Sequence, residues 1–161
     1  MKKQLIALTA LLTLLLSACD NGGDCKLYNT AYYRTLLRSI DATTGREIPY
    51  TFPLAIDVRL MVNGNDSLVL NNMTSETELA LPMSYTHECD TLLLQFGSTA
   101  TDTLYVEHTN IPYFISMDCG TGMYHNITAL RHTNNFIDSA LILHPFLNFD
   151  ANENIKLYIA E

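Results

Sequence analysis

Over residues 54–62 the chain alternates. Leu54, Ile56, Val58, Leu60 and Val62 share one face, while Asp57 and Arg59 point the other way. A period of two belongs to an extended strand with one buried and one wetted face. Asn63-Gly64 comes next, and both residues tolerate the positive φ of a tight hairpin turn, so 67–70 reads as the returning strand. The alternation recurs down the chain. Residues 76–83 place Thr77, Leu79, Leu81 and Met83 together, 91–96 place Leu92, Leu94 and Phe96, and 103–108 place Leu104 and Val106. Segments 113–117, 124–131, 139–144 and 154–159 continue the pattern, with Gly97-Ser98-Thr99 and Asn110-Ile111-Pro112 as punctuation. About ten short strands at roughly 12-residue spacing predict an all-β fold, an antiparallel, immunoglobulin-like β-sandwich in one domain over residues 31–161. Its expected core is Ile56, Val58, Leu60, Leu79, Leu92, Leu94, Leu104, Val106, Ile155 and Leu157.

One segment carries a second period. Tyr33, Leu36, Leu37 and Ile40 fit the i, i+3, i+4, i+7 template of a helix, with Thr30 as an N-cap and Gly45 as a late stop. Pattern alone favours a helix over 31–40; the family resemblance below favours a strand.

The N-terminus reads as an address. Met1-Lys2-Lys3 is a short positive start, and residues 5–16 form an apolar run broken by two threonines. A bilayer-spanning helix needs ~20 apolar residues, so this run reads as the core of a signal peptide. Leu16-Ser17-Ala18-Cys19 closes it and resembles the lipobox of bacterial lipoproteins, in which the cysteine is acylated and becomes the new N-terminus. The expected organisation is a signal peptide at 1–18, a lipidated Cys19 with a tether over 19–30, and the β-sandwich. The tether, Asp20-Asn21-Gly22-Gly23-Asp24, has nothing to bury.

Composition narrows the function classes. An apolar fraction of 48% excludes a disordered chain, and a net charge of −8 without a basic cluster argues against nucleic acid as a partner. With Cys19 consumed by the anchor, Cys25, Cys89 and Cys119 remain, which permits one internal disulfide in three possible pairings.

Chemical motifs are sparse. His87-Glu88-Cys89-Asp90 is the densest run of potential metal ligands, but alternation along a strand lets at most two converge, and no metal site is assigned. His108, His125, His132 and His144 are scattered. There is no Gly-x-Ser-x-Gly elbow, no Ser-x-x-Lys and no phosphate-cradling loop, so no catalytic residue and no cofactor is expected. Tyr28, Tyr32, Tyr33, Tyr50, Phe52 and Tyr113 could form a glycan platform, although core packing is the ordinary role of strand aromatics. Asp66-Ser67-Leu68, Asp90-Thr91-Leu92, Asp102-Thr103-Leu104 and Asp138-Ser139-Ala140 share an Asp-hydroxyl-apolar pattern. It resembles the O-glycosylation acceptor of exported Bacteroidetes proteins, which would modify Ser67, Thr91, Thr103 and Ser139. A turn leading into a strand explains the same four sites.

The C-terminal third carries the widest resemblance. Phe114-Ile115-Ser116-Met117-Asp118-Cys119-Gly120, then residues 137–145, then 154–159, together with the lipobox and a cysteine six residues after Cys19, resemble an uncharacterised family of Bacteroidetes envelope lipoproteins. The resemblance implies a strand at 31–40 and a Cys25–Cys119 disulfide with Cys89 unpaired. It also implies partnership with envelope machinery, an outer-membrane barrel among the candidates. The expected function is therefore non-enzymatic: a lipid-anchored envelope protein with an interaction or structural role, on the periplasmic face of the outer membrane. A ligand- or glycan-binding module is the alternative.

Overall fold

A computed structural model describes residues 31–160 except 51–54, 99, 118, 149 and 151. The expected signal peptide, Cys19, the tether, Cys25, Tyr28 and Phe52 lie outside the described residues. Those described form two packed β-sheets and no helix. One sheet holds β1 (Tyr32–Ile40), β2 (Glu47–Pro49), β5 (Glu78–Pro82), β9 (Ile137–Ile142) and β11 (Glu153–Ile159). Its order is β2-β1-β11-β9, and β5 shares the β2 edge of β1. The other sheet runs β10-β8-β7-β6-β3-β4, with β3 (Ile56–Val62), β4 (Asn65–Met73), β6 (Cys89–Phe96), β7 (Ala100–Ser116), β8 (Gly120–His132) and β10 (Phe146–Leu147). The expected sandwich is present, with sheets wider than those of a constant-type immunoglobulin domain. One ladder departs from the antiparallel expectation: β1 and β11 run parallel, pairing Leu37 with Leu157.

The helical period at 31–40 belongs to a strand. Tyr33, Thr35, Leu37 and Ser39 all point inward and are buried. Because Thr35 and Ser39 are polar, hydropathy hides the period of two and leaves Leu36 and Leu37 to imitate a helix face. β1 is also bonded on both edges, by β11 and by β5 and β2, and a chain flanked on both sides has its backbone groups satisfied as a strand. Asn154 covers the register shift between Arg34 and Thr35: its Oδ1 accepts from Arg34 N at 3.0 Å and its Nδ2 donates to His144 O at 3.0 Å.

The core lies between the inner faces. Ile56, Val58, Leu79, Leu92, Leu94, Leu104, Val106, Ile155 and Leu157 are all at most 1% exposed, and Leu60 packs against them from a partly buried position. The hairpin turn at Asn63-Gly64 takes positive φ at both residues, as that dipeptide requires. Asp102 is fully buried and clips the β8–β9 connection to the sheet. It accepts from the Thr133 hydroxyl (2.6 Å) and from the backbone N–H groups of Asn135, Phe136 and Ile137.

Candidate functional site

At one end of the sandwich, inward alternation continues along β7 through Leu104 and Val106 to His108. On β8 a bulge between the pairs Glu107–Ala129 and His108–Ile127 skips Thr128, and His125 and Ile127 then point inward. The two imidazoles, 17 residues apart in the chain, meet edge to face with ring centroids at 5.4 Å. Asn110 joins them. Its Nδ2 donates to His87 O at 2.9 Å, which turns its Oδ1 toward both rings. That oxygen accepts from His108 Nδ1 at 2.9 Å and from His125 Nδ1 at 2.7 Å, so both rings carry their proton on Nδ1. Their Nε2 atoms are buried without a hydrogen-bond partner, as is the Tyr33 hydroxyl from the opposite sheet. Asp90, the first inward residue of β6, places Oδ2 3.5 Å from His108 Nε2 and accepts from Ser84 N at 3.0 Å. Tyr85 stacks on His125 from outside, with centroids at 5.6 Å.

Electrostatics favour the neutral forms of His125 and Tyr33. Burial, then the neighbouring His108, pushes His125 down to about 4, against an opposing pull from Asp90. Burial, then Asp90, raises the Tyr33 hydroxyl well above its ordinary value. Cys89 sits beside the cluster as a free, exposed thiol. Burial and then Glu107 raise it, which disfavours the thiolate that a nucleophile would need. A cleft of about 170 Å³ opens between the β3–β4 turn and Pro82, Met83, Ser84, His87, Cys89 and Asp90. That is small beside the ~300–1,000 Å³ of ordinary ligand pockets, whereas a more open depression of about 440 Å³ over Glu88, Cys89, Glu107, His108 and Thr128 falls within that range.

The run His87-Glu88-Cys89-Asp90 splits as alternation requires. Asp90 turns inward, Glu88 and Cys89 face solvent, and His87 bonds Ser84 and Thr86 in a surface turn. Among the described residues no three His, Cys, Asp or Glu converge as a metal-binding set. His132 and His144 take no part; His132 bonds Thr133 O. Cys119 is disulfide-bonded, and its partner falls outside the described residues. In the four Asp-hydroxyl-apolar sites the acids diverge: Asp90 and Asp102 are buried structural acceptors, whereas Asp66 pairs with Arg59 on the surface. Ser67 is exposed on the edge strand β4, and Thr91, Thr103 and Ser139 are half-buried within strands.

Above the imidazole pair, β7 and β8 leave the sandwich as an arm. β6 accompanies β7 only as far as Glu107, and β10 touches β8 only at His125 and Asn126. Beyond them, among the described residues, 111–116 pair with 120–124 alone. Tyr113 and Tyr124 stack at 3.9 Å on this arm, and Phe146 leans on Tyr124 at 5.5 Å. A Cβ on Gly122 would lie 2.5 Å from the Tyr113 hydroxyl, so the ring lies directly over that glycine. Ile111 and Phe146 are exposed, Phe114 is 63% exposed and Met117, at the turn, 90%. Of the aromatics singled out in the sequence, Tyr33 and Tyr50 are core, Tyr32 is exposed and Tyr113 joins the arm; Tyr124 and Phe146 were missed. The sequence pattern breaks this stretch at Asn110-Ile111-Pro112, but β7 runs through those residues from Ala100 to Ser116, because all three pair with His125, Tyr124 and Met123 of β8.

A family model described as a family of unknown function, DUF6452, matches residues 56–159. No curated protein and no solved structure matches the chain significantly.

Proposed function

The chain belongs to the DUF6452 family, and from that footing we propose that it is a lipid-anchored protein of the bacterial envelope that docks on another envelope protein rather than catalysing a reaction. The carrying observation is the β7–β8 arm, which exposes Ile111, Phe114 and Met117 around the half-buried Tyr113–Tyr124 stack, with Phe146 of β10 exposed against its base. Clustered exposed apolar side chains on one projecting element mark a contact surface. The N-terminal sequence supports the anchor: acylation at Cys19, after removal of 1–18, would hold the protein on the periplasmic face of the outer membrane, as in the Bacteroidetes lipoproteins it resembles. Confinement to a membrane raises the effective concentration of a membrane partner, an outer-membrane barrel among the candidates. A Cys25–Cys119 disulfide, with Cys119 bonded and Cys89 free, would tie the tether to the arm. The non-enzymatic reading draws support from an imidazole cluster whose members hold one another and whose neighbouring thiol is raised.

The stacked tyrosines favour one alternative, a glycan-binding module, since sugars stack on aromatic faces. A photocrosslinking residue at Ile111 or Phe146, in acylated protein in intact envelopes, separates the readings. The docking reading expects one discrete protein adduct at both positions and none at Asn134. A glycan retained on the protein with no protein adduct overturns it.

A further inference from the structure

We infer that the tip of the β7–β8 arm rests in the headgroup region of the same bilayer that holds the lipid anchor, so that the arm is a second, non-covalent membrane contact. This deepens the anchored reading above and rests on it. The first observation is composition. From Thr109 to Leu130 the chain contains no Lys, Arg or Glu, and its ionisable groups are Asp118, His125 and two tyrosines. In a molecule of net charge −8 this stretch carries a single acid, Asp118, and so approaches a membrane at lower electrostatic cost than the rest of the chain. The second is exposure. Phe114 and Met117 project at the turn, and tyrosines stand one step behind them. Apolar tips backed by tyrosine match the polarity gradient of a bilayer interface, where tyrosine places its ring in the headgroups and its hydroxyl toward water.

The third observation is reach. Cys119 is the disulfide-bonded residue of the arm's turn. Joined to Cys25, the turn lies six residues from Cys19, a span of at most ~20 Å when extended. A tether of that length keeps the turn close enough to the bilayer surface to enter the headgroup region, which is ~5–8 Å deep on each side. Pro112 removes a donor from the edge of β7 that faces away from β8, which makes that edge a poor template for a further strand. With the tip against lipid, Ile111, Tyr124 and Phe146 stand at the membrane surface, where an embedded partner would meet them.

The chain contains no tryptophan, so Met117→Trp or Phe114→Trp supplies a single fluorescent reporter. The full-length acylated variant is reconstituted in phosphatidylethanolamine–phosphatidylcholine vesicles carrying bromine on the acyl chains, with Asn134→Trp, on the β8–β9 connection, as control. The inference expects blue-shifted emission and severalfold stronger quenching by bromolipid at 117 and 114 than at 134, insensitive to salt. A variant that is acylated and sediments with vesicles, yet whose indole emits as in water and escapes bromolipid, overturns the tip contact and leaves the anchor standing. Shielding that appears only when an envelope protein is added also overturns it, in favour of a protein contact. An N-terminal peptide whose mass shows no acyl group overturns the anchor reading itself.

Discussion

Two buried side chains, His125 and Asp102, couple the stability of the fold to acid pH. His125 is neutral in the fold because burial and His108 hold it down to about 4, against an ordinary 6.5 in the unfolded chain. The groups facing it are His108 and Asn110 from β7, Asp90 from β6 and Tyr85 from the preceding loop. With the folded value depressed, the unfolded state binds the extra proton first. The stability from neutral His125 is complete above pH 6.5 and is lost as pH falls toward 4, by up to about 3 kcal/mol. Thermal melts across that window should show the fall, and His125→Gln should flatten it. A profile unchanged by the substitution would move the acid sensitivity elsewhere. Asp102 acts lower on the scale. Burial alone would raise its carboxyl, but the bonds from Thr133, Asn135, Ile137 and Phe136 outweigh burial and hold it below the ordinary range. Its contribution is present above the unfolded carboxylate value and is lost as pH falls below it. Asp102→Asn turns an NH2 toward N–H donors and should cost ~2–4 kcal/mol in denaturant unfolding.

At the scale of elements, the arm and the sandwich differ in what supports them. A two-stranded ribbon is marginal in water, and among the described residues 111–116 pairs as a strand with 120–124 alone. Its internal support is the Tyr113 ring laid over Gly122 and stacked on Tyr124. Gly122→Ala drives a methyl into that ring and forces it off its site. Hydrogen exchange should then accelerate at the amides of 111–116 and 120–124, while those of β3 and β6 stay protected. Equal acceleration in the body would show that arm and sandwich open as one unit. β1 is the opposite case. With β11 on one edge and β5 and β2 on the other, it is the centre of its sheet, although the family match begins only at residue 56.

For the whole molecule, the parallel β1–β11 ladder joins the start of the domain to its end. A Cys25–Cys119 bond would add a second closure between tether and arm. In the chain-entropy model a loop of 94 residues is worth ~4–5 kcal/mol. Non-reducing peptide mapping of the mature protein should recover Cys25 linked to Cys119 and Cys89 alkylated. A linked peptide containing Cys89 would overturn the pairing. Loss of the bond in Cys25→Ser should lower the melting temperature without altering the exposed Cys89.

The sequence by itself determined the strands, their inward faces and most of the core, because a half-buried strand writes its period directly into hydropathy. Leu92, Leu94 and Leu104, Val106 were legible for that reason. It misrepresented 31–40, where Thr35 and Ser39 take inward positions and erase the period, and only the ladders on its two edges make that segment a strand. The imidazole pair was legible in half: His108 continues the inward face of Leu104 and Val106, but His125 turns inward only through the bulge at Thr128. A bulge shifts register by one residue and leaves no mark in composition. The length of the arm was decided the same way, by where β6 and β10 stop, since a strand's exposure depends on the neighbours it lacks and not on its own residues.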